Sequence, residues 1–287
     1  MIINMNIRFQ LNTYLEDNFS GYKIISKITE GEDSETYLIG DNTKMLILRL
    51  NDSKLGFTKD KNAYENFKSD TLLIPQVIRI DSFGDQYICI SEYIDGTSYK
   101  KLSTADSLIY TDKLFELHLE LANTKKGHTF KKSSWKQHLL EAKKVSSWKK
   151  LSLTKKFNVN LAKDLFSKIE NNLHFIIERQ DLVHGDFGYD NVLINKDEKL
   201  YLIDWEYSLL GDSLFDIAWL QFWSFEINYL KKYKIFANNH NIDMNNFSER
   251  IAVYSYYIAL TTLEWYAKSK DTSKYDWIEK IIVKRYI

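Results

Sequence analysis

Three side chains, Asp186, Asn191 and Asp204, stand at spacings that could move a phosphoryl group. They lie in the run Leu182-Val183-His184-Gly185-Asp186-Phe187-Gly188-Tyr189-Asp190-Asn191-Val192-Leu193-Ile194, which passes through a polar turn, Lys196 to Lys199, into Leu200-Tyr201-Leu202-Ile203-Asp204-Trp205. Transfer from ATP requires a carboxylate that orients a substrate hydroxyl and takes its proton, together with oxygen ligands for Mg2+ on the phosphates. Asp186 suits the first duty. Asn191 and Asp204 suit the second, because Mg2+ takes one or two carboxylates and keeps several waters. A lone Asp or Asn on a loop is ordinarily a turn former or a cap, but the strand-loop-strand context of these three favours chemistry. His184 reads as an orienting, hydrogen-bonded structural residue. In Gly211-Asp212-Ser213-Leu214-Phe215-Asp216-Ile217-Ala218-Trp219, Asp212 at a helix start reads as a cap that complements the dipole, and Asp216 is open to either role.

The elements that must position these groups follow from periodicity. Alternation predicts strands over Tyr22–Ile28, Thr36–Gly40 and Met45–Leu50, with turn chemistry at Glu30–Ser34 and Asp41–Thr43. A helix is expected over Lys59–Lys68, with Ala63, Tyr64 and Phe67 at helical spacing, then two strands around Asp81–Asp85 and a hinge at Ile94-Asp95-Gly96. Beyond Gly96 the period becomes helical: Thr104–Ala122, then Leu161–Arg179 with Leu161, Leu165, Ile169, Leu173 and Ile176 on one stripe. Lys125–Lys156, with Trp135 and Trp148, reads as a solvated helix pair. A short β interval, Leu182–Asp204, interrupts the helices, which resume from Leu214 to the end. The expected fold class is α+β and bilobal, the layout of a kinase. A small antiparallel-sheet lobe for the nucleotide spans 1–94, and a larger, mostly helical lobe for catalysis and the acceptor spans 95–287.

In the first lobe, Glu30, Gly31 and Ser34 belong to a loop placed to cover phosphates, although one glycine makes that loop nearly as good a plain hairpin turn. Arg49 on the third strand can bind phosphate oxygens bidentately, standing where kinases use lysine. Its carboxylate partner is expected from the following helix: Asp60, with Glu65 as the alternative. Adenine is expected at the hinge, against backbone groups near Ser91, Glu92 and Tyr93.

Composition bounds the rest. The 287 residues are 44% hydrophobic and 27% charged, which excludes a disordered chain, a collagen and a coiled coil. With 39 basic and 39 acidic side chains the formal charge is zero, without the basic excess of a nucleic-acid binder. One cysteine, Cys89, excludes an internal disulfide and a cysteine zinc site. The start, Met1 to Arg8, lacks the pattern of a secretory signal, and no apolar run reaches membrane-spanning length. The expectation is a cytoplasmic protein without a nucleic-acid or membrane partner.

His-Gly-Asp-x4-Asn followed by Ile-Asp-Trp resembles the aminoglycoside phosphotransferase and choline-kinase-like superfamily, and so does Gly-Asp-x3-Asp-x-Ala at 211–218. The likeness narrows to hygromycin B phosphotransferases through Ile28–Ser34, Leu48-Arg49-Leu50-Asn51, Gly56–Asp60, Ile74–Val77, Asp186-Phe187-Gly188, Asn191-Val192-Leu193 and Gly211–Trp223. It departs at Gly185, Tyr189 and Asp190, and in the Lys125–Lys156 insert, all on the acceptor side. The resemblance implies ATP and Mg2+ as cofactors, and a hydroxyl of a cationic aminoglycoside or aminocyclitol as acceptor, with antibiotic resistance as the role. A polycationic sugar would want acids and aromatic faces. The residues available are Asp190, Glu206, Asp216, Glu226 and Glu264 with Trp219, Trp223 and Trp265, each of which is also a fair core or surface residue. The alternatives are a kinase of choline or a thio-sugar on the same fold, and a nucleotide-binding pseudokinase.

Overall fold

The chain of the computed structural model begins with a helix that the strand-based reading did not foresee, α1 (Ile2–Asn18), whose Leu11 and Leu15 are fully buried. The structure describes residues 2–30, 34–124, 134–269 and 273–287. Strands β1 (Lys23–Glu30), β2 (Glu35–Gly40) and β3 (Met45–Asn51) follow, then α2 (Leu55–Asn66), β4 (Val77–Phe83) and β5 (Gln86–Glu92). They form an antiparallel sheet in the order β1-β2-β3-β5-β4. Successive strand residues point to opposite faces. Leu46, Leu48 and Leu50 of β3, with Ile88 and Ile90 of β5, therefore share one face with Leu11 and Leu15. The alternate residue Cys89 turns the other way, to Phe57 of α2. Arg49 shares that second face by the same alternation, so the sequence itself aims it at α2.

Past β5 comes β6 (Gly96–Ser98), then the helix α3 (Thr104–Asn123), capped by the Ser103 hydroxyl, which accepts from the Asp106 amide. Helices α4 (Trp135–Leu140), α5 (Val145–Thr154) and α6 (Val159–Asn172) precede β7 (Asp181–Val183), a 3₁₀ turn at Tyr189–Asn191, β8 (Val192–Asn195), β9 (Leu200–Leu202) and β10 (Leu209–Gly211). Helices α7 (Leu214–Trp223), α8 (Tyr229–Asn239), α9 (Phe247–Lys268) and α10 (Ser273–Tyr286) complete the chain. The α6 stripe stops at Asn172, and a 3₁₀ turn at Leu173–Phe175 replaces its expected extension to Arg179. Leu161, Leu165 and Ile169 are buried on α6, each worth roughly 1.5–3 kcal/mol against exposure.

Two compact units result. Residues 1–101 and 190–207 form the first; 102–189 and 208–287 form the second. The single cut expected after residue 94 thus differs from the grouping by contacts. The interval Leu182–Asp204 divides between two sheets: β8 pairs β6 and β9 in the first unit, while β7 pairs β10 in the second. In the first unit, a Cβ at Gly96 would stand 2.6 Å from the Ile194 carbonyl oxygen, so the β6–β8 approach demands glycine. In the second, α9 packs against α6, α7 and α10. The described part of the Lys125–Lys156 stretch is anchored rather than simply solvated: Trp135, Leu139 and Trp148 are buried, while Lys143, Lys144, Lys149, Lys150, Lys155 and Lys156 are exposed. Within that stretch 125–133 lie outside the described residues. Among the described residues no helix is long and apolar enough to cross a membrane.

Candidate active site

In the second unit the β7–β10 pair, Val183 to Leu209 and Asp181 to Gly211, launches two loops side by side. One carries His184-Gly185-Asp186; the other leads through Asp212 into α7. Asp216, in the first turn of α7, is fully buried and uses both oxygens: Oδ2 accepts from the His184 amide and Oδ1 from the Gly185 amide, each at 2.9 Å. Gly185 adopts φ +85°, a left-handed conformation that costs glycine little. The Asp186 amide donates to His184 Nδ1 at 3.3 Å, which makes His184 an orienting residue, as its position suggested. Burial pushes the Asp216 carboxyl up to about 7; the two amides oppose that shift and the nearby Asp186 adds to it.

Behind these loops the packing is ionic. Asp212 is fully buried, accepts from Arg250 Nε at 2.7 Å and Nη2 at 2.6 Å, and also takes the Tyr254 hydroxyl. Its capping contact with the Leu214 amide, at 3.2 Å, is real but secondary. His118 of α3 places Nε2 2.9 Å from the Ser213 carbonyl and Nδ1 3.3 Å from the Tyr233 hydroxyl, with its ring edge-on to Phe187. Burial drives its pKa down to about 4, so the ring is neutral near pH 7, donating from Nε2 and accepting at Nδ1. The sequence reading missed Arg250, Tyr254 and His118. The available signals were a histidine on the apolar stripe of α3, with Leu114, Leu117 and Leu121, and an arginine one turn before a buried tyrosine on α9.

In the first unit Arg49 Nη2 is paired with Asp60 Oδ2. Its guanidinium lies 5.1 Å from the Phe57 ring centroid and 3.9 Å from Cys89 Sγ. Burial works against the charge on Arg49, yet Asp60, Cys89 and Asp204 outweigh it and hold its pKa above the ordinary value. Burial pushes the Cys89 thiol up to about 11, so it stays protonated and unreactive at neutral pH. Asp60 is buried, and its other oxygen accepts from the Trp205 amide at 2.8 Å. Glu65 is exposed beside Lys61, so the partner of Arg49 is Asp60. Asn191 is buried in the 3₁₀ turn, and its carbonyl accepts from the Ile203 amide at 3.0 Å, which ties it to the residue before Asp204. Asp204 has φ +63°, a region a non-glycine residue occupies only when its surroundings fix it.

As a donor set, an amide and a carboxylate offer hard oxygen only. They fit Mg2+ held partly by phosphates, rather than zinc with its nitrogen and sulfur ligands. Among the described residues no group of three or more His, Cys, Asp or Glu side chains gathers into a cage for a metal.

The remaining sequence candidates separate. Ser34 precedes β2 and is half-buried; Ser91 is buried in β5, and Tyr93 follows it half-buried. Gly31 lies outside the described residues, and Glu30 enters only as the last position of β1. Of the acceptor candidates, Asp216 is corrected: a fully buried carboxylate with both oxygens on backbone amides holds the loop and cannot meet an acceptor. Glu264 is corrected as well, being 5% exposed and paired with Lys268 at 2.5 Å and Lys144 at 3.9 Å. Asp190 is exposed but paired with Lys100 at 2.7 Å. Glu206 belongs to the first unit, against α2: its carbonyl accepts from Lys59 Nζ at 2.5 Å, and its carboxylate fills the space beside Gly56. Glu226 is exposed and accepts from the Thr104 hydroxyl. Trp219 and Trp223 are half-buried on α7, edge-to-face at 6.3 Å, and Trp265 is partly exposed on α9.

Known proteins resemble this chain. The family described as phosphotransferase enzyme family, APH, matches over residues 24–238. Hygromycin-B 4-O-kinase of Escherichia coli is 24% identical over 224 residues, covering 73% of this chain and 65% of that protein, so the chain spans less than two thirds of that kinase's length. A Protein LicA homolog of Mycoplasma capricolum subsp. capricolum is 27% identical over 197 residues, covering 68% of this chain and 71% of that one. The crystal structure of aminoglycoside phosphotransferase APH(4)-Ia superposes with a TM-score of 0.83 at 20% identity, over 96% of this chain and 97% of that one. A thermostable mutant of that protein, in a ternary complex with ADP and hygromycin B, gives the same TM-score, identity and coverage. Spectinomycin phosphotransferase APH(9)-Ia, with ADP and spectinomycin, reaches 0.66 at 13% identity, over 97% of this chain and 94% of that one. At these identities the structural likeness shows the fold alone.

Proposed function

The chain belongs to the phosphotransferase enzyme family, and on that premise we propose that it is an ATP-dependent kinase transferring the γ-phosphoryl group to a hydroxyl of an aminoglycoside such as hygromycin B. Asp186 positions that hydroxyl and accepts its proton as the new P–O bond forms and the bond to ADP breaks. Arg49 binds phosphate oxygens, and the Glu30–Ser34 loop covers them. Asn191 and Asp204 would hold Mg2+, which supplies charge neutralisation on the phosphates when bound. Adenine lies against the backbone near Ser91 and Tyr93. The observation that supports this reading is the backbone hydrogen bond from the Ile203 amide to the Asn191 carbonyl, which ties the residue before Asp204 to Asn191 in the unit that also holds the Arg49–Asp60 pair.

The aminoglycoside is supported by the 24% identity to a hygromycin-B kinase and by the partly exposed Trp219 and Trp223, which suit a cationic sugar. One observation favours a second acceptor class, a less cationic metabolite such as choline or a thio-sugar. Glu264 and Asp190 are already neutralised by Lys268, Lys144 and Lys100, so fewer acids remain for a polycation.

ADP release from Mg·ATP, measured across hygromycin B, kanamycin-type aminoglycosides, choline and methylthioribose, tests both. Turnover on the aminoglycosides alone supports the first acceptor, and turnover on choline or methylthioribose alone supports the second. ATP binding without turnover on any of these acceptors leaves a kinase of another acceptor or a pseudokinase. On the preferred acceptor, Asp186→Ala is expected to lower kcat by about 10²–10⁴-fold while ATP still binds; unchanged turnover would remove Asp186 from its role.

A further inference from the structure

We propose that Asp60 is a positioning residue for the metal-binding carboxylate Asp204, and not only the ion-pair partner of Arg49. The inference rests on the reading of Asn191 and Asp204 as Mg2+ ligands. Asp60 is buried, and its two oxygens have separate duties: Oδ2 meets Arg49, and Oδ1 accepts the Trp205 amide at 2.8 Å. Asp204, immediately before that amide, sits at φ +63°. A left-handed conformation costs a residue with a Cβ roughly 1–2 kcal/mol, so it persists only where the peptides on both sides are fixed. One residue back, the Ile203 amide donates to the Asn191 carbonyl at 3.0 Å and ties down the chain that enters Asp204. The following side is fixed by Asp60.

The same helix grips the next residue. Lys59 Nζ donates to the Glu206 carbonyl at 2.5 Å, and the Glu206 carboxylate occupies the space that a Cβ at Gly56 would crowd, 3.2 Å from it. The Trp205 ring lies 5.8 Å from Phe67, just past the end of α2. The two positions that follow Asp204, 205 and 206, are thus held by α2 and its flank. Asp60 links the cation that meets phosphates to the carboxylate that meets the metal, and loss of its Oδ1 contact should weaken the metal's contribution even where Arg49 is already gone.

The test removes Arg49 from the question. ADP binding is measured by calorimetry with and without Mg2+, and the ratio of the two Kd values gives the metal enhancement. R49M is expected to weaken ADP in both conditions and keep the enhancement. R49M/D60N retains a side-chain oxygen for the Trp205 amide and should match R49M. R49M/D60L retains none, and its enhancement should fall by about tenfold, within the usual range of coupling between two sites. Full enhancement in R49M/D60L overturns the proposal. Should R49M/D60L fail to fold, R49M decides with hydrogen exchange over residues 203–206. Enhancement kept, with a slowly exchanging Trp205 amide, upholds the proposal; enhancement lost means that Asp60 acts wholly through Arg49 and overturns it. A wild-type chain that binds no ADP with or without Mg2+ refutes the nucleotide reading instead, before any variant is made.

Discussion

The two units secure their chemical groups by opposite means. In the second, the loop bearing Asp186 is held from behind by buried polar groups: Asp216 under two amides, Asp212 against Arg250 and Tyr254, and neutral His118 on Ser213. In the first, the groups that would meet the nucleotide support each other directly, with Arg49 on Asp60, Asp60 on Trp205, and Asn191 on Ile203. A scaffold of buried charge is costly to break, because a stranded ion has no water to turn to. In the first unit Asp60 is buried too, but a lysine at position 49 would still leave it a cation, so a conservative change there strands no charge. The contrast predicts that damage to the second unit appears first as lost stability, and damage to the first as lost ligand affinity.

The largest effect expected is Arg250→Leu, which strands the buried Asp212 and should cost about 3–5 kcal/mol, read as a lower urea midpoint. Replacing Asp212 and Arg250 together by apolar residues should cost less than the single change. Equal costs would mean that the pair is not the scaffold.

Asp216→Asn comes next. One of the two loop amides loses its acceptor, and kcat should fall by about 10²-fold if Asp186 shifts by an ångström. A pH signature accompanies it. The folded carboxyl titrates near 7, above the ordinary 3.8, so the folded state binds more protons than the unfolded state between those values. Stability contributed by protonated Asp216 is complete below about pH 4 and is lost as pH rises through about 7. The stability of the wild type minus that of Asp216→Asn should therefore fall across that window; a flat difference curve would place the carboxyl in the ordinary range.

In the first unit Arg49→Lys should leave the urea midpoint nearly unchanged and weaken ATP binding by about tenfold, the worth of one charge-assisted hydrogen bond of ~1.5 kcal/mol. A large stability loss with intact affinity would erase the contrast between the units. The smallest change expected is Glu65→Ala, which removes an exposed pair with Lys61 worth about 0.3–0.5 kcal/mol. Any measurable loss of nucleotide affinity there would reopen the choice between Glu65 and Asp60.

The amino-acid sequence by itself determined the chemistry on offer. The run that carries Asp186, Asn191 and Asp204 was legible because its strand-loop-strand pattern is short and local. Alternation placed Arg49 on the α2 face of the sheet, and helical spacing made Asp60 reachable. Most strands of the first sheet were legible too, whereas α1 escaped the reading although Ile7, Leu11, Tyr14 and Leu15 recur at helical spacing and dock on the sheet. Tertiary structure alone decided which carboxylates are available for binding. Asp216 and Glu226 look alike in sequence; one is sealed under His184 and Gly185, and the other stands exposed beside Thr104. It alone joined Asp212 to Arg250 across 38 residues and His118 to Ser213 across 95. Such pairs are set by how helices pack rather than by local periodicity, and burial, which fixes both a charge's partner and its proton affinity, exists only once the chain has folded.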